Sequence, residues 1–417
     1  MTRSARSAGA LVFFSLLTAL PAHAVRWVGS SGDPFNTGSS WSGGAVPSGG
    51  SSTAEFAGAI GTIRITRTHT IGTAHFTTDF TSGSFSVRDG GSLSLINGVK
   101  NDSAAVPHFS IEDGFVFFTG TAPTLGNASF TIASAGTLKL FTDNHPNGSA
   151  ARINLTGGSV TPNNTVDAGT VSLGEVKGTS GNITLGHAAL TVGALGTDAT
   201  YAGTLSAAGA LTKVGGGTWT LTAANSYTGP TSITAGAIKI GNTSGSVFGS
   251  GDVTIGSGGT LTGAGSFTGS LVNEGLYAPG NSPALTTLSA FSQAATGILE
   301  MEIASLTRGT GYDALDVTGL LEFGGTLRLL LLDGFTPEAG QSFDLFDAST
   351  MTGAFSTLDL PTLMTGLEWD TSGLYTAGTL AITTASAIPE PSTYAAIFGS
   401  VALVLAVRRR RAAPTPR

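Results

Sequence analysis

Apolar and polar residues alternate with period two along most of the chain, and glycine introduces the alternating segments. The pattern is glycine, a small or polar residue, then apolar-polar-apolar: Gly83-Ser84-Phe85-Ser86-Val87, Gly91-Ser92-Leu93-Ser94-Leu95 and Gly136-Thr137-Leu138-Lys139-Leu140. It returns at Gly169-Thr170-Val171-Ser172-Leu173, Gly181-Asn182-Ile183-Thr184-Leu185, Gly217-Thr218-Trp219-Thr220-Leu221, Gly236-Ala237-Ile238-Lys239-Ile240 and Gly251-Asp252-Val253-Thr254-Ile255. Period two describes a strand with one buried face and one Thr/Ser-rich face in water. The glycines stand where turns demand unusual backbone angles. Many short strands admit a sandwich, a barrel or a solenoid. No helix-period segment interrupts the run from about 126 to 280, which favours stacked rungs. The intervals are too irregular for a strict nonapeptide coil, and the calcium-binding repeat G-G-x-G-x-D is missing.

The expected fold is therefore all-β: a right-handed parallel β-solenoid (β-helix) with a second, C-terminal β-sandwich-like unit. Residues 25–125 read as an N-terminal β region or cap, and 126–283 as the solenoid. Two prolines and a glycine in Ala278-Pro279-Gly280-Asn281-Ser282-Pro283 mark a joint. Residues 284–385 follow as the C-terminal unit, with clean alternation over Gly297–Ile303 and a buried-strand run over Leu327–Leu332.

Both ends read as addresses. Arg3 and Arg6 precede an apolar stretch from Gly9 to Leu20, and Ala22-His23-Ala24 supplies a small-x-small cleavage pattern. This is a secretory signal over 1–24, with signal peptidase and the general secretion machinery as partners. At the other end Pro389-Glu390-Pro391 precedes Tyr394–Val407, uncharged throughout, and then Arg408, Arg409, Arg410 and Arg411. Fourteen helical residues reach about 21 Å, short of a hydrocarbon core of roughly 30 Å, so snorkelling arginines would complete a transmembrane helix. Their charge sets that end in the cytoplasm.

The triplet, short helix and arginine cluster over 386–417 resemble the PEP-CTERM sorting signal of Gram-negative bacteria. That resemblance implies an exosortase as partner, transient inner-membrane anchoring, and a final place on the cell surface or outside the cell. It also implies an extracellular-matrix setting with exopolysaccharide. A second resemblance covers 211–238: Leu211, Lys213, Gly215, Gly217-Thr218, Leu221, Asn225, Tyr227, Gly229, Thr231 and Gly236. These match the autotransporter-associated β-strand repeat, with Ile238 in place of its final leucine. The repeat implies a parallel β-helix of the kind found in bacterial surface passengers. No long terminal run of alternating membrane-barrel strands accompanies it.

Composition sharpens this picture. The chain of 417 residues holds 61 glycines and 60 threonines, only 11% charged residues and no cysteine. Disulfides and thiolate metal sites are excluded. Between Val25 and Ala387 stand 12 basic and 25 acidic residues. That balance excludes a nucleic-acid-binding stripe.

Chemistry is sparse. The chain has no nucleophile elbow, dinucleotide or phosphate loop, or H-E-x-x-H motif. His69 and His75, six apart on one strand, would share a face about 20 Å apart, too far for one metal. Glu300 and Glu302, with Asp313 and Asp316, form the best carboxylate group. They read as a solvated face, with a calcium site as the sharper alternative. Trp27 and Trp41 read as a cap on the terminal rung, or else as a sugar-stacking platform. The expectation is a non-enzymatic surface or matrix protein, structural or adhesive, without cofactors. The alternatives are a polysaccharide lyase or hydrolase, or a non-catalytic polysaccharide-binding module. A lyase would need acids beside Arg or Lys on neighbouring rungs.

Overall fold

The computed structural model describes residues 24–385, apart from 121, 142–145, 164–168, 242–244, 266–267, 281–282 and 333, together with 402–405, 407 and 408. The chain is an all-β parallel β-solenoid, and it divides into two compact units. One holds the residues up to 195 with 202–209, the other 196–201 with the residues from 210 onward.

In the first unit the strands stack in parallel as three faces. One face runs His69↔Leu93↔Val116↔Leu138↔Val160↔Ile183↔Leu205. The second runs Ile63↔Phe85↔Phe109↔Phe130↔Ile153↔Val176. The third runs Ala54↔Ala74↔Val99, narrows to single bridges at Thr124, and resumes at Gly148↔Leu173↔Val192. Apolar residues stack on themselves because a parallel rung puts residue over equivalent residue. Phe85, Phe109 and Phe130 show it: their near-parallel rings stand 4.7 and 5.0 Å apart, close to the strand spacing itself.

The glycine-led segments explain the corners. Gly91, Gly114, Gly136, Gly158 and Gly181 recur every 22 or 23 residues, each just before a strand of the first face. At Gly136 a Cβ would come within 2.2 Å of the Ile111 carbonyl oxygen, so only glycine fits under the preceding rung. Gly83 and Gly169 open strands on the other two faces. The intervals along the chain are irregular because the same motif is met on three faces in turn.

The second unit continues the same logic with shorter rungs. One face runs Leu211↔Thr231↔Val253↔Leu271↔Phe291↔Leu321↔Met351. Another runs Trp219↔Ile238↔Leu261↔Tyr277↔Leu299↔Leu327↔Leu358. From Leu285 a third strand joins each rung, as Thr286↔Leu315↔Phe346. On the first of these faces rungs repeat every 18 to 22 residues as far as Phe291 and every 30 beyond it.

This corrects the sandwich-like reading of 284–385. Parallel pairing extends to Asp359, and the antiparallel part is one small sheet of Ser342–Asp344, Thr379–Thr384 and Leu367–Asp370. Alternation reports a buried face but not the direction of the neighbouring strand, so both architectures share the pattern. The apolar run at Leu327–Leu332 is likewise an alternating strand, with Leu327 and Leu329 buried and Leu330 partly exposed. Parallel pairing also runs through 25–125, from Ala24↔Thr53 onward.

Among the described residues no helix is long and apolar enough to cross a membrane. The Pro389-Glu390-Pro391 triplet and most of Tyr394–Val407 lie outside those residues, as do Ala22, Arg409, Arg410 and Arg411. Residues 402–405 and 407–408 are helical and exposed, Arg408 among them.

Candidate functional site

The two N-terminal tryptophans are buried, Trp27 at 5% and Trp41 at 2% exposure. They meet edge to face at 5.1 Å, and Trp41 Nε1 donates to the Phe35 carbonyl at 2.8 Å. Phe35 and Phe56 complete the cluster. Neither ring has a face free for a sugar, so the stacking-platform reading falls.

The histidines lie on different faces, where the sequence reading put them on one. Their strand, Thr68–Phe76, shifts register between Ile71 and Thr73, so His69 and His75 belong to different faces. The cause is Gly72, where a Cβ would come within 2.4 Å of the Gly50 oxygen. His75 Nε2 lies 2.8 Å from Asp102 Oδ2, and Glu55 stands 3.7 Å from its other nitrogen.

The four carboxylates do not converge on an ion. Asp316 pairs with Arg308 at 2.6 Å, and Glu300 with Arg328 at 3.3 Å. Asp313 is fully buried and accepts the N–H of Ala284 at 2.7 Å and of Glu302 at 2.8 Å. Burial pushes its pKa up to about 8, and the charges of Glu302 and Glu300 act in the same direction. Among the described residues no group of three or more His, Asp or Glu is placed to hold a metal. The calcium alternative finds no support among the described residues: Asp316 and Glu300 pair with arginines, and Asp313 is held by two backbone N–H groups. Asp313 fastens two segments instead.

The repeat at 211–238 proves to be one closed rung. Its opening strands, Ala210–Lys213 and Thr218–Leu221, are covered by Thr231–Ile240 from its own far end. Lys213 is buried and donates to the carbonyls of Val214, Gly215 and Ala235 at 2.7, 2.9 and 3.3 Å. Asn225 Nδ2 donates to the Val247 carbonyl at 2.6 Å. The Tyr227 hydroxyl meets Thr231 Oγ1 at 2.6 Å inside the core. Gly236 takes φ +65°, and a Cβ there would strike the Gly215 oxygen. The polar positions of the repeat thus satisfy backbone and core groups, a structural task.

A polar recess in the first unit was not foreseen. Residues 32–35 lie along the edge of Ala59–Ile65, through Gly32 N–H to Thr62 O at 2.6 Å and Phe35 N–H to Arg64 O at 2.8 Å. They border an open cleft of about 660 Å³. Its floor is the outward side of three successive rungs, Thr62↔Ser84↔His108 and Arg64↔Ser86↔Ser110. Asp33, Arg88 and Glu112 complete its polar lining. Ser86 Oγ donates to Glu112 at 2.8 Å, and Arg64 Nε donates to the Gly32 carbonyl. Arg88 Nε is buried without a hydrogen-bond partner, its nearest carboxylate oxygen being Asp89 Oδ2 at 4.0 Å. Burial lowers the pKa of His108, which keeps its ring neutral near neutral pH. These residues span about eighty positions, and only the stacking of rungs brings them together.

Against known families, residues 211–240 match the passenger-associated-transport-repeat and residues 387–411 match the PEP-CTERM protein-sorting motif. Both resemblances noted in the sequence are thereby shown, each over its own short segment. The sorting motif supports export. No curated protein matches the chain.

Proposed function

We propose that the chain is a non-enzymatic surface or extracellular-matrix protein, sorted by an exosortase and associated with exopolysaccharide. The observation that carries this reading is the sorting motif at 387–411. The solenoid supports it: a body of stacked parallel strands with Thr and Ser outward is a stiff, hydrated scaffold. The polar residues of the repeat are spent on backbone carbonyls and core hydroxyls, which leaves them no chemistry to perform.

A carbohydrate-active enzyme is the second reading, favoured by one observation. Asp33 and Glu112 share a cleft with Arg64 and Arg88, the acid-and-base grouping on neighbouring rungs that such chemistry uses. Incubating the purified protein with acidic and neutral polysaccharides separates the two. Unchanged chain lengths are expected, and specific depolymerisation overturns the non-enzymatic reading.

A further inference from the structure

We infer that the cleft of Arg64, Arg88 and Glu112 binds a carboxylate-bearing saccharide, a uronate segment of an acidic polysaccharide. The inference deepens the matrix-protein reading and rests on it for its biology. The binding itself stands on the cleft alone.

Between Val25 and Ala387 acids outnumber bases two to one, yet this recess gathers two arginines. Among the described residues Arg64 has no carboxylate within 4.0 Å, and Arg88 only reaches Asp89 at that limit. They stand on adjacent rungs, joined where Arg88 N–H donates to the Ile65 carbonyl at 3.0 Å. Both guanidiniums border the same cleft without a close carboxylate partner, and a carboxylate fits their planar donors. The buried, unpartnered Nε of Arg88 is the second sign, since such a donor costs free energy until something accepts its hydrogen bond.

The remaining lining suits a sugar better than a bare anion. Three rungs give a floor about 10 Å long, and Ser110 and the neutral His108 ring line it with hydrogen-bonding groups. Glu112 and Asp33 are acceptors for sugar hydroxyls, and they would repel a small anion that brought no donors. Phe85, the aromatic residue of the lining, is buried at 1% exposure, so stacking contributes little, and neutral sugars gain from the arginines only hydrogen bonds without the charge pairing a carboxylate adds.

Calorimetric titration of the full chain with tetragalacturonate and with cellotetraose tests this. Tetragalacturonate is expected to bind at least tenfold more tightly than cellotetraose, and more weakly as salt is raised. Arg88→Gln should weaken tetragalacturonate at least tenfold while leaving the unfolding midpoint in place, because the backbone bond to Ile65 is kept and the Arg88 side chain makes no hydrogen bond to another element. Equal affinity for the two sugars, no binding of either, or wild-type affinity in Arg88→Gln overturns the inference. Shortening of the tetrasaccharide would keep the ligand assignment and overturn the non-enzymatic reading instead. Since the purified chain needs no exosortase in this assay, a failure of sorting leaves the result untouched.

Discussion

Lys213 reaches across one rung to the carbonyl of Ala235, at 3.3 Å, while the same ammonium holds Val214 and Gly215 in its own turn. Burial depresses its pKa, and Asp198 partly restores it. The lysine is therefore a clamp between successive turns. Lys213→Met keeps the stem and strands three carbonyls without their donor. We expect a loss of about 3 kcal/mol, from buried acceptors left unsatisfied. Lys239→Met, on the exposed side of the paired strand, should change stability by less than about 0.5 kcal/mol. Urea denaturation of both variants checks the contrast.

The aromatic stack makes a second test. Phe109 is fully buried between Phe85 and Phe130, at 4.7 and 5.0 Å. Phe109→Ala leaves a void that neighbouring rungs cannot close without losing register, and should cost about 3–5 kcal/mol. Phe109→Leu retains most of the volume and should cost about 1 kcal/mol. Because each rung touches mainly its neighbours, hydrogen exchange should rise around residues 85–132 and much less beyond them. A uniform rise over the first unit would contradict nearest-neighbour coupling.

Asp313 should govern part of the pH dependence. Its folded pKa of about 8 lies above the ordinary aspartate value of 3.8. Between those values the folded state binds more protons than the unfolded state, so stability falls as pH rises through that window and levels off above about 8. Asp313→Asn removes the proton exchange and should flatten the slope between pH 4 and 8. The variant is expected to be less stable at every pH, since an amide nitrogen would face one of the two N–H groups the carboxylate accepts. Denaturation midpoints across pH give the slope, and an unchanged slope would sink the assignment.

Period-two alternation was enough to read strands and their buried faces, and the resemblance to a known repeat marked out the unit at 211–238. Alternation carried no information on pairing direction, which is why 284–385 resembled a sandwich while Leu299 in fact stacks on Leu327 in parallel. Alternation also hid the bend at Gly72, which sends His69 and His75 to different faces. The cleft was invisible for a related reason. Arg64, Ser86 and Ser110 become neighbours only through a rung period of about 22 residues, and three faces superimposed that period with two others. Trp27 and Trp41 read as a cap from their terminal position; the structure shows both rings buried in a cluster with Phe35 and Phe56, contacts that alternation does not encode.

The last prediction concerns the tail, where the sorting motif ends the chain's legible chemistry. Among the described residues the last strand ends at Thr384, and Ala385 N–H still bonds the Gly366 carbonyl at 2.8 Å. Pro389 follows four residues later, at most about 14 Å of extended chain from the folded body. A reader of the triplet must therefore work close against that body. Pro389 and Pro391 lack amide donors, and proline disfavours helix at the residue before it, which suits an enzyme that reads extended chain at the membrane surface. Glu390 is the sole charge between Asp370 and Arg408, and so the one electrostatic handle available there. Glu390→Ala should leave export intact and block processing, so that the precursor stays with the membrane fraction, Arg408 and its neighbours on the cytoplasmic side. Mass spectrometry of precursor and mature protein, in a host carrying the matching exosortase, decides it. Equal processing of wild type and Glu390→Ala would reduce the triplet to a spacer ahead of a plain anchor.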